Sequence, residues 1–330
     1  MKELVKQLVE AYGPSGQEQV VRGIIARLIA GHADEVRTDQ MGNLIALKRG
    51  TGGGKRIMVA AHMDEIGLIV THVDKNGFLR FGRVGGVFAP AVVGGRVQFA
   101  NGAQGVIGWE KWLHSQDMPK WEEMFIDVGA TSAGDAPVGI GDMAGMVRPM
   151  AEMGTRWVAK SMDDRIGCAV GVQALLEMGP TPNDVYFVFT VQEEVGIRGA
   201  IVSAYGVEPD LGLALDVTDT GDTPESHPMA VALGKGPAVK VMDSYLLAHP
   251  GVKDWMVRTA KAAGIPYQLE VLERGGTDAA GIQRARAGVP AGCLSIPCRY
   301  IHTPSEMVES ADVLNAVRLL VALVTGPVEI

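Results

Sequence analysis

The segment Arg56-Ile57-Met58-Val59-Ala60 runs directly into Ala61-His62-Met63-Asp64-Glu65, and this junction constrains the fold more than any other stretch of the chain. An unbroken apolar run ending in His-x-Asp reads as a buried strand that delivers an imidazole and a carboxylate to its tip. Residues i and i+2 of a strand share a side. Asp64 can therefore fix the His62 ring, the usual outer partner of a metal-binding histidine. Other segments repeat the design. The run 185–190 leads to Gln192-Glu193-Glu194, the run 211–215 ends in Asp216, and the stretch 292–296 precedes Arg299-Tyr300-Ile301-His302. Ser161-Met162-Asp163-Asp164-Arg165 opens a helix. Open α/β sheets form their sites beyond the carboxyl ends of the strands. Carboxylates gathered there without compensation repel one another and lose hydration, and a bound dication resolves that conflict.

Taken singly, each group has an ordinary explanation. Asp163 and Asp164 could cap the helix they begin, where carboxylates suit the dipole. Glu193 and Glu194 could be a solvated loop pair, Asp216 could cap a turn, and His302 could be a core or surface histidine. The remaining histidines, His32, His72, His114, His227 and His249, have no partner motif around them and read as solvated.

Composition narrows the function classes. The 330 residues are 47% hydrophobic and 21% charged, which suits a soluble chain with a large core and two domains. A net charge of −8 without a basic cluster argues against nucleic acid as a partner. No apolar run approaches the roughly 20 residues that span a bilayer, and the start, Met1-Lys2-Glu3-Leu4-Val5, reads as an amphipathic helix and not a signal peptide. An odd set of cysteines, Cys168, Cys293 and Cys298, forms no disulfide framework and suits the cytosol. Cys293 and Cys298 read as small buried residues, since their spacing matches no common Cys metal site.

Along the chain, Ser15-Gly16-Gln17-Glu18 reads as a capping box for a helix with Val20, Val21, Ile24, Ile25, Leu28 and Ile29 at helical spacing. Residues 36–47 read as a hairpin around Asp39 to Asn43. From about Gly67 to Met153 glycine is dense and short Val/Ile-rich runs alternate with turns, which predicts a small all-β domain (67–153) inserted into an α/β domain (1–66 and 154–330). Trp109, Trp112 and Trp121 lie in that insert, with Lys111 and Lys120, and read as core or interface residues. Beyond it a helix is expected over 164–178, strands near 185–190, 211–217, 267–272 and 291–296, and a helix over 253–263. Ser310 is the expected N-cap of a last helix through 323. Strands alternating with helices predict a largely parallel sheet covered on both faces.

The motifs His-Met-Asp-Glu-Ile-Gly, Asp-Asp-Arg-x-Gly, Gln-Glu-Glu-Val-Gly-x-Arg-Gly-Ala, Ala-Leu-Asp-Val-Thr and Arg-Tyr-x-His-x-Pro-x-Glu-Met occur in that order between about residues 13 and 307. In this the chain resembles the M42 metallo-aminopeptidases, the tetrahedral or TET aminopeptidases, glutamyl aminopeptidase-like and sometimes called endoglucanases. The resemblance implies a three-layer, zinc-peptidase-like α/β catalytic domain whose insert is a PDZ-like dimerisation domain. It implies two divalent metal ions (Zn, Co or Mn) per subunit: His62 would bind one and His302 the other, Asp163 would bridge both, and Glu194 and Asp216 would each complete one. In related peptidases the first of the Asp pair bridges and the peptide between them is cis. Glu193 would be the general base, with Asp64 supporting catalysis beside His62. The activity implied is hydrolysis of N-terminal residues from peptides through a metal-bridging hydroxide, with a neutral aliphatic residue such as Leu expected first. The alternative is a metal-dependent deacylase or carboxypeptidase on the same fold. The loop holding Gly276, Thr277 and Asp278 resembles a substrate-lining segment. The partners implied are peptide substrates and eleven further copies of the chain, in a cytoplasmic homo-dodecamer built from dimers.

Overall fold

The computed structural model describes residues 1–110 and 118–330, so Lys111, Trp112 and His114 lie outside the described residues. The chain opens with helices α1 (Lys2–Val9) and α2 (Gln19–Leu28). Strands β1 (Glu35–Thr38) and β2 (Leu44–Lys48) form the expected hairpin. Its turn is closed by Asp39, whose Oδ1 accepts the amides of Met41, Gly42 and Asn43. Strand β3 (Arg56–His62) carries His62.

The glycine-rich region then builds β4 (Gly67–Val73), β5 (Leu79–Val84), the short helix α3 (Ala89–Val92), β6 (Arg96–Phe99), β7 (Gln104–Trp109), β8 (Met124–Asp127) and β9 (Met143–Met146). These strands close into a barrel in the order β4-β5-β8-β7-β6-β9. It has its own core, including Leu68, Val70, Leu79, Val97, Phe99, Ile107 and Ile126.

After β10 (Ala151–Met153) and β11 (Arg156–Ala159) come α4 (Met162–Glu177), β12 (Asp184–Thr190), α5 (Arg198–Val207), β13 (Leu211–Thr218), β14 (Ala238–Met242), α6 (Pro250–Ala262), β15 (Gln268–Val271), α7 (Asp278–Gln283), β16 (Ala291–Arg299), β17 (Glu306–Glu309) and α8 (Ser310–Thr325). The large sheet runs β1-β2-β12-β3-β13-β16-β17-β11-β10, with β14 attached to β16 and β15 to β14. Alternation along β3 splits its side chains between two apolar layers. Ile57, Val59 and Ala61 pack in the layer of α1, α2, α4, α6 and α8, and Met58 and Ala60 pack with α5 and α7. A sheet covered on both faces needs continuous apolar strands, and every residue of β13 is buried.

Four sequence expectations change here. The sheet is mixed: only β12, β3, β13 and β16 form a continuous parallel block, and both of its flanks are antiparallel. Those four carry long, near-continuous apolar runs. The flanks hold the close pairs β1–β2, β10–β11 and β16–β17, while β2 joins β12, and β11 joins β17, across long stretches of chain. The segment Ser15–Glu18 is no capping box, because α2 starts at Gln19 with no side-chain cap and the Ser15 hydroxyl is turned to Asp64 instead. Ser310 is the first residue of α8, one position inside its cap. Strand β10, on the insert side of the expected boundary at 153, pairs with β11 in the large sheet.

Beneath the first loop lies a buried charge network. Arg165 is fully buried and donates to the carbonyls of Leu8, Ala11 and Gly13. Its Nη2 stands 3.7 Å from Glu65, which also receives Lys160 Nζ at 2.6 Å. Removing one member of such a network strands the others in a low dielectric. Arg165→Met should lower the unfolding free energy by about 3–5 kcal/mol, read by chemical denaturation, and a loss below about 1 kcal/mol would refute this role for the network.

Candidate active site

The parallel strands β3, β12 and β13 point their carboxyl ends the same way, and there His62 ends β3, Glu193 and Glu194 follow β12, and Asp216 lies near the end of β13. His62 closes β3 and is buried. Its Nδ1 lies 3.1 Å from the backbone oxygen of Asp64 and 3.4 Å from that residue's Oδ1, and its Nε2 points to Asp163 Oδ1 at 3.0 Å. Asp163 reaches two histidines with one carboxylate, since its Oδ2 is 3.3 Å from His302 Nε2. His302 Nε2 is also 3.2 Å from Glu194 Oε2. Candidate ligand atoms of His62, Asp163 and Glu194 lie within 4.8 Å of one another, and so do those of His62, Asp164 and Asp216. The Asp163–Asp164 peptide is cis. The two aspartates are employed differently: Asp164 is turned inward, accepting the amides of His62 and Gly167.

Asp64 holds the neighbouring turn. Its carboxylate accepts the amides of Glu193 (3.0 Å) and Glu194 (3.2 Å) and the Ser15 hydroxyl (2.6 Å). Glu18 continues the pattern by accepting the amide of Gln192 at 3.2 Å. Three successive amides, 192 to 194, thus end on two carboxylates from other segments. Gln192 takes a left-handed backbone, φ 57°, which re-aims the two glutamates that follow. Glu306 does the same on the far side, its two oxygens accepting the amides of Asp163 (3.0 Å) and His302 (2.8 Å). His302 is itself left-handed, φ 62°, and packs against the insert: a Cβ on Gly86 would stand 2.6 Å from its ring nitrogen.

The electrostatics of the cluster are one-sided. Burial and the charge of Asp163 push the Asp216 carboxyl well above its ordinary range. Burial also raises Glu193, reinforced by Asp216, Asp278 and Glu194. Glu306 is pushed up to about 8 by burial and by Asp163. The histidines feel the converse. Burial disfavours their charge, yet Glu194 and Asp163 hold His302 up to about 12, and Asp163 and Asp64 hold His62 well above its normal value. A field that binds protons this tightly to two imidazoles equally favours a dication between them. Glu194 Oε1 is buried without a hydrogen-bond partner, as a ligand atom would be. Imidazole and carboxylate donors together suit Zn, Co or Mn, so the residues fit a divalent-metal site.

A cavity of about 800 Å³ opens over the cluster, lined by His62, Asp163, Glu193, Glu194, Asp216 and His302 together with Gly86, Tyr245, Arg274 and Gly276. Of the three loop residues expected at the substrate, Gly276 lines this cavity, whereas Thr277 and Asp278 do not. Thr277 is the N-cap and Asp278 the first residue of α7, which packs on β13 and β3, so both side chains are buried and Asp278 accepts the Thr190 hydroxyl. Burial raises Asp278 to about 6. Sequence reasoning passed over Ser15, Glu18, Glu306 and Gly86. The signals were present: Glu306 lies in the same motif as His302, and Pro14-Ser15-Gly16 precedes Glu18 where a capping box was read.

The clamp on 192–194 is testable without reference to catalysis. Glu18→Ala removes the acceptor of the Gln192 amide, so hydrogen exchange at Gln192 and Glu193 should accelerate and stability should fall by about 1–3 kcal/mol. Unchanged exchange at both amides would show that Glu18 does not hold the turn.

A model of the M42 glutamyl aminopeptidase family matches residues 42–319. A putative aminopeptidase of Acetivibrio thermocellus is 48% identical over 97% of both chains. Among solved structures, an aminopeptidase from the archaeon Desulfurococcus kamchatkensis superposes with a TM-score of 0.94 at 41% identity, covering 98% of this chain and 94% of that one. The TET1 peptidase of Pyrococcus horikoshii, which can assemble into a tetrahedron or a large octahedral shell, is 31% identical with a TM-score of 0.87 and covers 98% of each chain.

Proposed function

This chain belongs to the M42 glutamyl aminopeptidase family and is a peptidase, and from that premise we propose that it is a dinuclear-metal aminopeptidase releasing N-terminal residues from peptides in the cytosol. The observation that carries the reading is Asp163, whose two carboxylate oxygens face His62 and His302 at 3.0 and 3.3 Å. His62 would hold one divalent ion and His302 the other, with Asp163 shared. Glu194 and Asp216 would each complete one. When bound, the pair would polarise the scissile carbonyl and acidify the attacking water.

The protein's own residues supply the rest. Glu193 lines the cavity, and its backbone is fixed by Asp64. Burial and neighbouring carboxylates raise its proton affinity, which suits a group that takes the water's proton and returns it to the leaving amine. Asp64 and Glu306 orient this machinery through backbone amides and do not face the substrate. The acidic cavity wall favours a free, positively charged N-terminus over a blocked one.

The insert, expected over residues 67–153 and built on the β4–β9 barrel, is proposed as the dimerisation domain, with dimers assembling into a dodecamer. Support comes from the assembling Pyrococcus relative and from Phe88, Val106 and Ile140, which the barrel leaves exposed. The buried free cysteines are compatible with a reducing compartment.

Two experiments test these readings. Glu193→Gln keeps size and polarity but cannot accept a proton, so it should retain its metal by elemental analysis while kcat on Leu-p-nitroanilide falls about 10²–10⁴-fold. His62→Ala and Asp163→Ala should lose metal as well. A fully metallated Glu193→Gln protein with near-normal kcat would sink the assignment. Light scattering of the metal-loaded protein should give about twelve subunits, and an active monomer would rule out the assembly.

A further inference from the structure

A second cavity, about 830 Å³, adjoins the first and shares Asp219, Leu272 and Arg274 with it. The reaction proposed above does not account for it. One wall is the segment 219–230, tied down by Asp222. That carboxylate receives Arg299 Nε and Nη2 at 2.8 Å each and the Leu233 amide at 2.9 Å. Opposite stands β15, which among the described residues pairs only with β14. The amides of Gln268 and Leu272 donate to the β14 side, to the oxygens of Pro237 and Met242. Backbone groups of a parallel strand alternate in direction, so the amides and carbonyls of Leu269 and Val271 face the open edge. The side chains alternate as well. Glu270 is buried in an ion pair with Lys240, while Leu269 and Val271 are 49% and 52% exposed and line the second cavity.

An open strand edge beside exposed apolar side chains is the arrangement that captures extended peptides by adding a strand. Here the edge leads, through Leu272 and Arg274, into the cavity over the catalytic cluster. Resting on the aminopeptidase reading, we propose that β15 and the cavity it borders form the subsite for the C-terminal part of the peptide substrate, which adds to β15 as an extended strand. At ~3.3 Å per residue, the four residues of β15 match about four residues of substrate. Recognition of this kind is through the main chain, so it tolerates varied sequence and favours apolar side chains at alternate positions.

The test compares Leu-p-nitroanilide, Leu-Ala and Leu-Ala-Ala-Ala-Ala-Ala on the metal-loaded protein. KM should fall as the peptide lengthens. Val271→Pro removes one edge amide at a position where proline is tolerated, and should lower the kcat/KM of the hexapeptide relative to that of the anilide about three- to tenfold. N-methylation of alternate residues of the hexapeptide, assayed with the unaltered protein, should weaken its binding in one register and not in the other. Binding of the hexapeptide to metal-free protein, read by calorimetry, should follow the same order. Kinetics independent of length beyond the dipeptide, or equal losses in both N-methyl registers, would overturn the proposal while leaving the aminopeptidase reading intact. No cleavage of any of the three substrates would overturn both. If Val271→Pro instead lowers the mass of the assembly, the edge pairs with a second copy of this chain and not with substrate.

Discussion

The carboxylate of Asp64 accepts the amides of Glu193 and Glu194 while its backbone oxygen meets the ring of His62. A buried carboxylate is costly unless donors satisfy it. Here two amides and the Ser15 hydroxyl do so, and the His62 contact together with those donors holds the group below the usual carboxylate range against the opposing effect of burial. The consequence is geometric. The ends of β3 and β12 are tied to each other, so the histidine of one and the glutamates of the other cannot drift apart.

The same device recurs with opposite chemistry at Glu306, whose acid group is raised by burial and by Asp163. Its two oxygens join the amides of Asp163 and His302, residues far apart in the chain. The groups facing the cavity are therefore fixed by carboxylates that do not face it. Around them, left-handed backbone at Gln192 and His302, whose amides end on Glu18 and Glu306, shows where the chain departs from relaxed geometry to aim side chains. Such conformations cost on the order of 1–3 kcal/mol each and persist because the carboxylate bridges over-determine them.

Much of this was legible in the sequence. The apolar runs before His62, Glu193 and Asp216 are strands because their continuous burial admits no polar face, and the glycine-dense region became a barrel because its short Val/Ile-rich runs leave no helical period. The antiparallel flanks of the sheet were not legible, since short strands of ordinary composition pair by position and not by pattern. By sequence, Ser15 and Glu18 read as local caps. Their spacing fits a capping box, but the Ser15 hydroxyl donates to Asp64, and Glu18, besides the local Gly16 amide, accepts the Gln192 amide from another segment.

By itself the sequence determined which strands end in ionisable groups, because alternation and unbroken apolar runs fix where a strand leaves the core. Only the tertiary structure decided which of those groups face one another. It turned Asp163 toward both histidines and Asp164 inward, and it buried Thr277 and Asp278 behind the cavity that Gly276 lines. The physical reason is that adjacent residues carry the same chemical label. Which one faces the site depends on backbone direction at the strand end, and that direction is set by hydrogen bonds to segments more than a hundred residues away in the chain.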